Sequence, residues 1–301
     1  MIYIIFGKFV QNFKQLFRFQ EDYSKSFLFE YDQKYTRKVS KTAKCSYFSG
    51  MIKVVILGAG NIAQHLYKAF QRTETLSVVQ VYNRSKKSLP YFKNTATTTS
   101  LKNLAEADLY IIAVADDAIT SIANKLPFTD RLVVHTSGSV SMHELHKKNR
   151  RGIFYPLQTF TKGITVDFST IPVCLESGEK PDFKILKAVA DAIGSTSYKI
   201  SSEQRRALHV SAVFVNNFSN HLYRIAHEIC ETNNVPFEIL NPLIQETAKK
   251  VTNLTPYMAQ TGPAKRGDQK TIDSHLEKLD KDIHKEIYTL LTQSIAKTYG
   301  R

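Results

Sequence analysis

Apolar and polar positions divide the chain into two parts that follow different periods. Between residues 51 and 200, short apolar runs alternate with amphipathic stretches, the pattern of a doubly wound α/β sheet. Strands are predicted at 52–57, 77–82, 95–98, 108–114, 131–134, 152–155, 171–175 and 195–200, and helices at 61–72 and 181–193. The runs at 54–57 and 109–114 are apolar throughout, which marks central parallel strands covered on both faces. From Ser201 the period changes. Leu208, Ala212, Val215, Leu222, Ile225 and Ile229 recur at helical spacing, predicting one long helix or two nearly continuous ones. A further helix at 236–253, ended by Pro256, would turn Leu240, Leu243 and Ile244 inward. A last one at 282–296 would offer Ile283, Ile287, Leu290, Leu291 and Ile295 for packing. The expected fold class is α/β: a mostly parallel, doubly wound sheet over 51–200, then an all-helical second domain over 201–301.

The length of 301 residues supports this division, because a chain of that size normally splits into two cores. Residues 1–50 belong to neither. They hold 13 of the 33 Phe and Tyr and carry a local excess of Lys and Arg. They read as a poorly ordered extension or as translation from an upstream start, since Met51 directly precedes a complete strand. The spacing of Phe6, Phe9, Phe13 and Phe17 leaves a peripheral membrane anchor as a third reading. No apolar run is long enough for a membrane span and no secretory signal is evident, so a cytoplasmic protein without integral membrane contact is expected.

The first strand runs straight into Gly58-Ala59-Gly60 and then a helix. This is the strand–GxGxxA–helix order of a dinucleotide site: Gly58 permits the tight turn, Gly60 lets the backbone approach a pyrophosphate, and Ala63 lets the helix pack close to the sheet. Asn61 and Ile62 would present helix N-terminal amides to the phosphates. NAD-binding versions of this turn carry an acidic residue after the second strand. Here that loop reads Asn83-Arg84-Ser85, no acidic residue occurs between Val78 and Thr99, and Lys86 and Lys87 follow. Asn83 can bond the ribose, Arg84 can meet a 2′-phosphate and Ser85 can add a hydrogen bond, so NADP is the expected cofactor.

Other strand ends are also polar. His135-Thr136-Ser137-Gly138-Ser139 follows the fifth strand, with Ser139 or Ser141 available to cap the next segment, and Pro156-Leu157-Gln158-Thr159 follows the sixth. On the long helix, His209, Asn216, Asn220 and His227 fall on one narrow stripe at 100° per residue. Asp268 either joins the polar turn 260–268 or caps the helix after it. Cys174, among apolar neighbours, reads as a buried small hydrophobe. No metal site is expected: His143 and His146 share a predicted helical face without a third ligand. The net charge of +14 comes from 41 Lys and Arg against 27 Asp and Glu and suits anionic ligands. No nucleic-acid motif accompanies it, so nucleic acid is not an expected partner.

Residues 51 to about 298 resemble a family of bacterial NADP oxidoreductase-like proteins that join a Rossmann-like domain to an uncharacterised helical domain. The resemblance is carried by GAGNIAQHL at 58–66, VYNRS at 81–85, ADLYIIAVADDAI at 107–119, HTSGS at 135–139, FYPLQTF at 154–160, LHVSAVFVNNFSNHLY at 208–223 and QTGPAKRGD at 260–268. More remotely the layout is similar to pyrroline-5-carboxylate reductases and β-hydroxyacid dehydrogenases. That resemblance implies hydride transfer to or from a small carbonyl or imine metabolite, and a homodimer through the helical domain. The nicotinamide would lie near Ala115, Asp116 and the His135 loop. His209 is the first choice for proton donor or acceptor, with Ser137, Gln158 and Asn216 orienting the substrate. The Lys-x-x-x-Asn pair of β-hydroxyacid dehydrogenases is missing, since His209, Val213 and Asn216-Asn217 stand in that region. A non-catalytic NADP(H)-binding redox sensor or interaction protein is therefore the alternative.

Overall fold

The structure is a computed structural model that describes residues 50–300. The extension read at 1–50 lies, apart from Gly50, outside the described residues. Met51–Arg301 forms one unit. Its eight strands are β1 (Ile52–Leu57), β2 (Leu76–Tyr82), β3 (Ala96–Thr98), β4 (Leu109–Ile112), β5 (Leu132–His135), β6 (Arg150–Pro156), β7 (Val173–Ser177) and β8 (Ser197–Lys199). They make one sheet in the order β3-β2-β1-β4-β5-β6-β7-β8. Every pairing is parallel except β6 with β7, so the sheet reverses direction only at its far edge. The chain winds outward both ways from the adjacent β1 and β4, which opens a crevice between their carboxyl ends.

Helix α1 (Asn61–Phe70) covers one face of this sheet and α2 (Asp116–Lys125) the other, while α3 (Lys180–Ala192) joins the antiparallel edge. On the first face Leu66 and Phe70 are fully buried with Ile56, Leu109, Val134 and Leu186. On the second, Ile119 and Ala123 pack on Val55, Leu57 and Tyr110. Both faces of β1 from Val54 onward and of β4 are thus covered, as the apolar runs Val54–Leu57 and Leu109–Ile112 require. Each fully buried Leu, Ile or Phe contributes about 1.5–3 kcal/mol.

Beyond β8 the chain is almost entirely helical. Helix α4 (Ser202–Ala212) begins with a capping box in which Ser201 and Gln204 each satisfy the other's backbone amide. A π-helical segment, Val213–Phe218, connects it without a break to α5 (Ser219–Thr232). One continuous rod is therefore present, but not with uniform α geometry. The i→i+5 bonding of the π segment rotates everything after it relative to α4. The expected stripe from His209 through Asn216 and Asn220 to His227 is corrected accordingly, because 100° per residue does not hold across Val213–Phe218.

A 3₁₀ turn at Phe237–Leu240 precedes α6 (Asn241–Asn253), and α7 (Pro256–Ala259), α8 (Pro263–Arg266), α9 (Gln269–Glu277) and α10 (Asp282–Thr298) follow. Pro256 is the first residue of α7 and not merely a terminator, as its missing amide allows. Asp268 caps α9 by accepting from the amide of Thr271. Leu243, Ile283, Leu290 and Leu291 were expected inward but are exposed, as is Val215 at 77%. The helices after α4 bury little against one another: Ile225, Ala264 and Ile272 are their buried hydrophobics. The segment at Met142–Glu144 is a 3₁₀ turn capped by Ser141, so His143 and His146 do not share an α-helical face. Among the described residues no helix is long and apolar enough to cross a membrane.

Candidate functional site

A cleft of about 620 Å³ lies over the carboxyl ends of β1, β2 and β4. Gly58, Gly60, Asn61, Ile62, Asn83, Arg84 and Ala115 line it together with Tyr82, Asp117 and Phe160. Gly58 sits at φ +129°, and a Cβ there would stand 2.1 Å from the carbonyl oxygen of Ala113, so the turn admits only glycine. A Cβ on Gly60 would meet no protein atom within 4 Å. Gly60 is therefore free of any packing demand, and the space beside it suits a ligand's close approach. No side chain caps the N-terminus of α1 and no acidic residue occupies its first turn, so its amides are available to an anion. These features fit a dinucleotide pyrophosphate.

Two residues expected at the cofactor are placed otherwise. Ser85 caps the 3₁₀ turn Lys86–Tyr91 by accepting from the backbone amide of Lys87, and its carbonyl accepts from the Asn83 side-chain Nδ2 at 2.8 Å. It shapes the loop that presents Asn83 and Arg84. Asp116 accepts from the Ser139 hydroxyl at 2.5 Å, tying α2 to the loop after β5, while its neighbour Asp117 lines the cleft. Phe160 enters the cleft from the segment after β6. Asn61 donates to its carbonyl at 2.9 Å and the His65 ring lies 5.2 Å from its ring.

The loop after β5 is organised by groups that were read as substrate-facing. His135 is fully buried. Its Nδ1 accepts from the Ser137 amide at 3.2 Å, which leaves Nε2 to donate to the Ser141 carbonyl at 3.3 Å. Burial disfavours the imidazolium and pushes its pKa down to about 4, so His135 is a neutral strut. The Ser137 oxygen accepts from the amides of Ser139 and Val140 at 3.1 and 3.0 Å. That hydroxyl builds the loop from within.

Helix α4 delivers His209 to this loop. Leu208 packs on the cluster of Met142, Ile153, Tyr155 and Cys174. One turn before His209, the fully buried Arg205 pairs with Glu176 at 2.5 Å and donates to the Val140 carbonyl. Glu176 also accepts from the amide and hydroxyl of Ser202. The start of α4 is thus pinned to the end of β7 and to the loop after β5. His209 consequently lies against Gly138, where a Cβ would be 2.5 Å from its Nδ1, and its Nδ1 is 3.1 Å from the Tyr155 hydroxyl.

Ser137's loop, Tyr155 and His209 are therefore brought together. Gln158 and Asn216 are not: Gln158 is exposed and accepts from the Thr159 amide, and Asn216 is exposed within the π segment. Tyr155, Arg205 and Glu176 escaped the sequence reading. Tyr155 ends an apolar strand and resembles any core tyrosine there, while the Glu176–Arg205 pair joins residues far apart in the chain. Cys174 is buried and its thiol is pushed up to about 11 by that burial, which excludes an activated thiolate. Among the described residues no three His, Cys, Asp or Glu side chains gather as a metal site.

Comparisons with known proteins agree with this layout. Residues 53–138 match the family described as NADP oxidoreductase coenzyme F420-dependent, and residues 171–295 match a domain of unknown function (DUF2520). A crystal structure of a putative NADP oxidoreductase from Bacteroides fragilis is 38% identical, with a TM-score of 0.74, over 82% of this chain and 98% of that one. An imine reductase from Streptomyces aurantiacus shares the fold at 12% identity and a TM-score of 0.59, over 83% of this chain and 93% of that one. A pyrroline carboxylate reductase from Plasmodium falciparum with NADP bound does so at 14% identity and a TM-score of 0.51, over 83% and 98%. No curated protein matches the chain.

Proposed function

From the premise that this chain belongs to the family of the Bacteroides fragilis NADP oxidoreductase-like protein, we propose that it transfers a hydride between NADP(H) and a small carbonyl or imine metabolite. The observation that carries this reading is the cleft over β1, β2 and β4, lined by Gly58, Gly60, Asn83 and Arg84; separately, His209 of the pinned helix α4 meets Tyr155 of β6 at the loop after β5. When bound, the nicotinamide supplies the hydride chemistry. Asn61 and the first-turn amides of α1 would hold the pyrophosphate, and Arg84 the 2′-phosphate. His209 would exchange the proton at the substrate oxygen or nitrogen, because imidazole is the side chain best suited to that near neutral pH.

The helical region would act as a homodimer. Phe214, Val215, Leu243 and Leu290 are each more than 60% exposed, which is unusual for large apolar side chains on one domain of a monomer, and a second copy would cover them. A monomer in sedimentation at micromolar concentration would refute the dimer.

The test of function is NADPH oxidation, followed at the nicotinamide absorbance, against a panel of cyclic imines, ketones and aldehydes. Turnover that His209→Ala abolishes is the expected result. Tight NADPH binding with no turnover on any of them would favour the redox-sensor alternative, and unchanged turnover in His209→Ala would remove His209 from the chemistry.

A further inference from the structure

His209 has one closed edge. A Cβ built on Gly138 would meet its Nδ1 at 2.5 Å and its Cγ at 2.9 Å, and the same Cβ would meet Cζ of Tyr155 at 2.8 Å. The Tyr155 hydroxyl reaches Nδ1 at 3.1 Å, with the two rings edge to face at 69° and their centroids 6.2 Å apart. Backbone and phenol together occupy the side of the imidazole that carries Nδ1. Nε2, on the far side of the ring, makes no hydrogen bond to the described residues.

We propose that Tyr155 is the positioning residue of this site: its hydroxyl donates to Nδ1 and, with Gly138, seals that edge, so that His209 meets a substrate through Nε2 alone and as an N–H donor when neutral. This rests on the reading of His209 as the polar group that faces the substrate. Either heteroatom of the pair can donate in principle. The direction follows from what each choice leaves unpaired. Tyr155 is buried, and among the described residues its hydroxyl has His209 as its one hydrogen-bond partner. Were the phenol to accept from Nδ1–H, its own O–H would be left without a protein partner, a loss of about 1–3 kcal/mol for a buried donor. Donating to Nδ1 avoids that loss. Burial, and secondarily Cys174 opposite it on β7, push the phenol up to about 12, so it keeps its proton throughout the neutral range.

A neutral imidazole whose Nδ1 accepts must carry its proton on Nε2. It therefore offers an N–H to a lone pair, which a carbonyl oxygen or an imine nitrogen provides and an ammonium or a guanidinium does not. His209 would polarise such an acceptor by hydrogen bonding when neutral, and would release a proton to it only from the imidazolium form. Gly138 is part of the same device, since any larger residue would push the ring off the tyrosine.

The experiment is two-dimensional 1H–15N multiple-bond NMR of the full chain labelled at histidine, without substrate and above the histidine titration, with His209→Asn to assign the resonance. The expected spectrum has a protonated Nε2 and an unprotonated, hydrogen-bonded Nδ1. In Tyr155→Phe the Nδ1 resonance should move downfield to the position of an unbonded imidazole nitrogen. Replacing the tyrosines with 3-fluorotyrosine, a better donor that preserves the packing, should move it upfield, which keeps the proposal testable if Tyr155→Phe does not fold. A protonated Nδ1 in the unmodified protein, or an Nδ1 resonance unmoved by the change at Tyr155, would overturn it. Because no substrate is present, such a failure removes the role of Tyr155 and leaves the oxidoreductase reading to the turnover assay.

Discussion

Arg205 of α4, fully buried, forms an ion pair of 2.5 Å with Glu176 at the end of β7, and the pair joins the helical region to the sheet. Glu176 is held by the amide and hydroxyl of Ser202 as well, so the carboxylate has a full set of donors only while α4 is docked. Removing one member of a buried pair strands the other's charge and costs about 3–5 kcal/mol. Arg205→Ala should therefore lower unfolding free energy by that amount in urea titration. A loss below about 1 kcal/mol, the worth of an exposed pair, would show that Arg205 does not hold the junction.

Gly58 and Gly60 separate folding from binding. Gly58→Ala forces a Cβ into the Ala113 carbonyl at a backbone angle that L residues rarely adopt, and should destabilise the fold outright. Gly60→Ala meets nothing in the protein, so the melting temperature should stay the same while NADPH affinity falls at least tenfold. Calorimetric titration beside thermal melts reads both quantities, and unaltered NADPH binding in Gly60→Ala would move the pyrophosphate elsewhere.

Arg84 carries the choice of nucleotide. It lines the cleft with Asn83, and no carboxylate follows β2 to repel a 2′-phosphate. A charge-assisted contact of about 1.5–3 kcal/mol corresponds to roughly a 10- to 150-fold preference. NADPH should bind at least tenfold more tightly than NADH, and Arg84→Ala should erase most of the gap while leaving NADH nearly unaffected. Equal affinities in the unmodified protein would count against NADP.

His135 makes stability depend on pH. Its folded pKa of about 4 lies below the ordinary histidine value of 6.5, chiefly because burial penalises the charged ring. The unfolded chain therefore binds more protons between those two values. The His135 contribution is complete above about pH 6.5 and is lost as the pH falls towards 4, with a total on the order of 3 kcal/mol. Urea midpoints across this range should fall less steeply in His135→Asn than in the unmodified protein. Parallel curves would mean that His135 titrates normally in the folded state.

Wherever chemistry depends on neighbours along the chain, the sequence alone determined the outcome. The apolar runs Val54–Leu57 and Leu109–Val114 called for strands covered on both faces. The GxGxxA turn after β1 and the acid-free Asn83-Arg84 loop after β2 placed a cleft at the strand ends, since parallel strands deliver successive turns to one edge of a sheet. Tertiary structure decided what depends on residues distant in sequence. Tyr155 reads as a core aromatic until α4 sets His209 against it, and the Glu176–Arg205 pair that does so spans 29 residues. Ser137 and Asp116 look free to meet ligands until the fold of the loop after β5 claims their oxygens. The π segment at Val213–Phe218 turns the polar stripe out of register because periodicity in sequence reports an ideal α-helix, whereas hydrogen bonding in the folded rod sets the actual turn. The apolar period of α6 and α10 predicted the helices but not their burial: Leu243 and Leu290 lie on the surface, because a hydrophobic pattern along one helix does not say which face the rest of the fold covers.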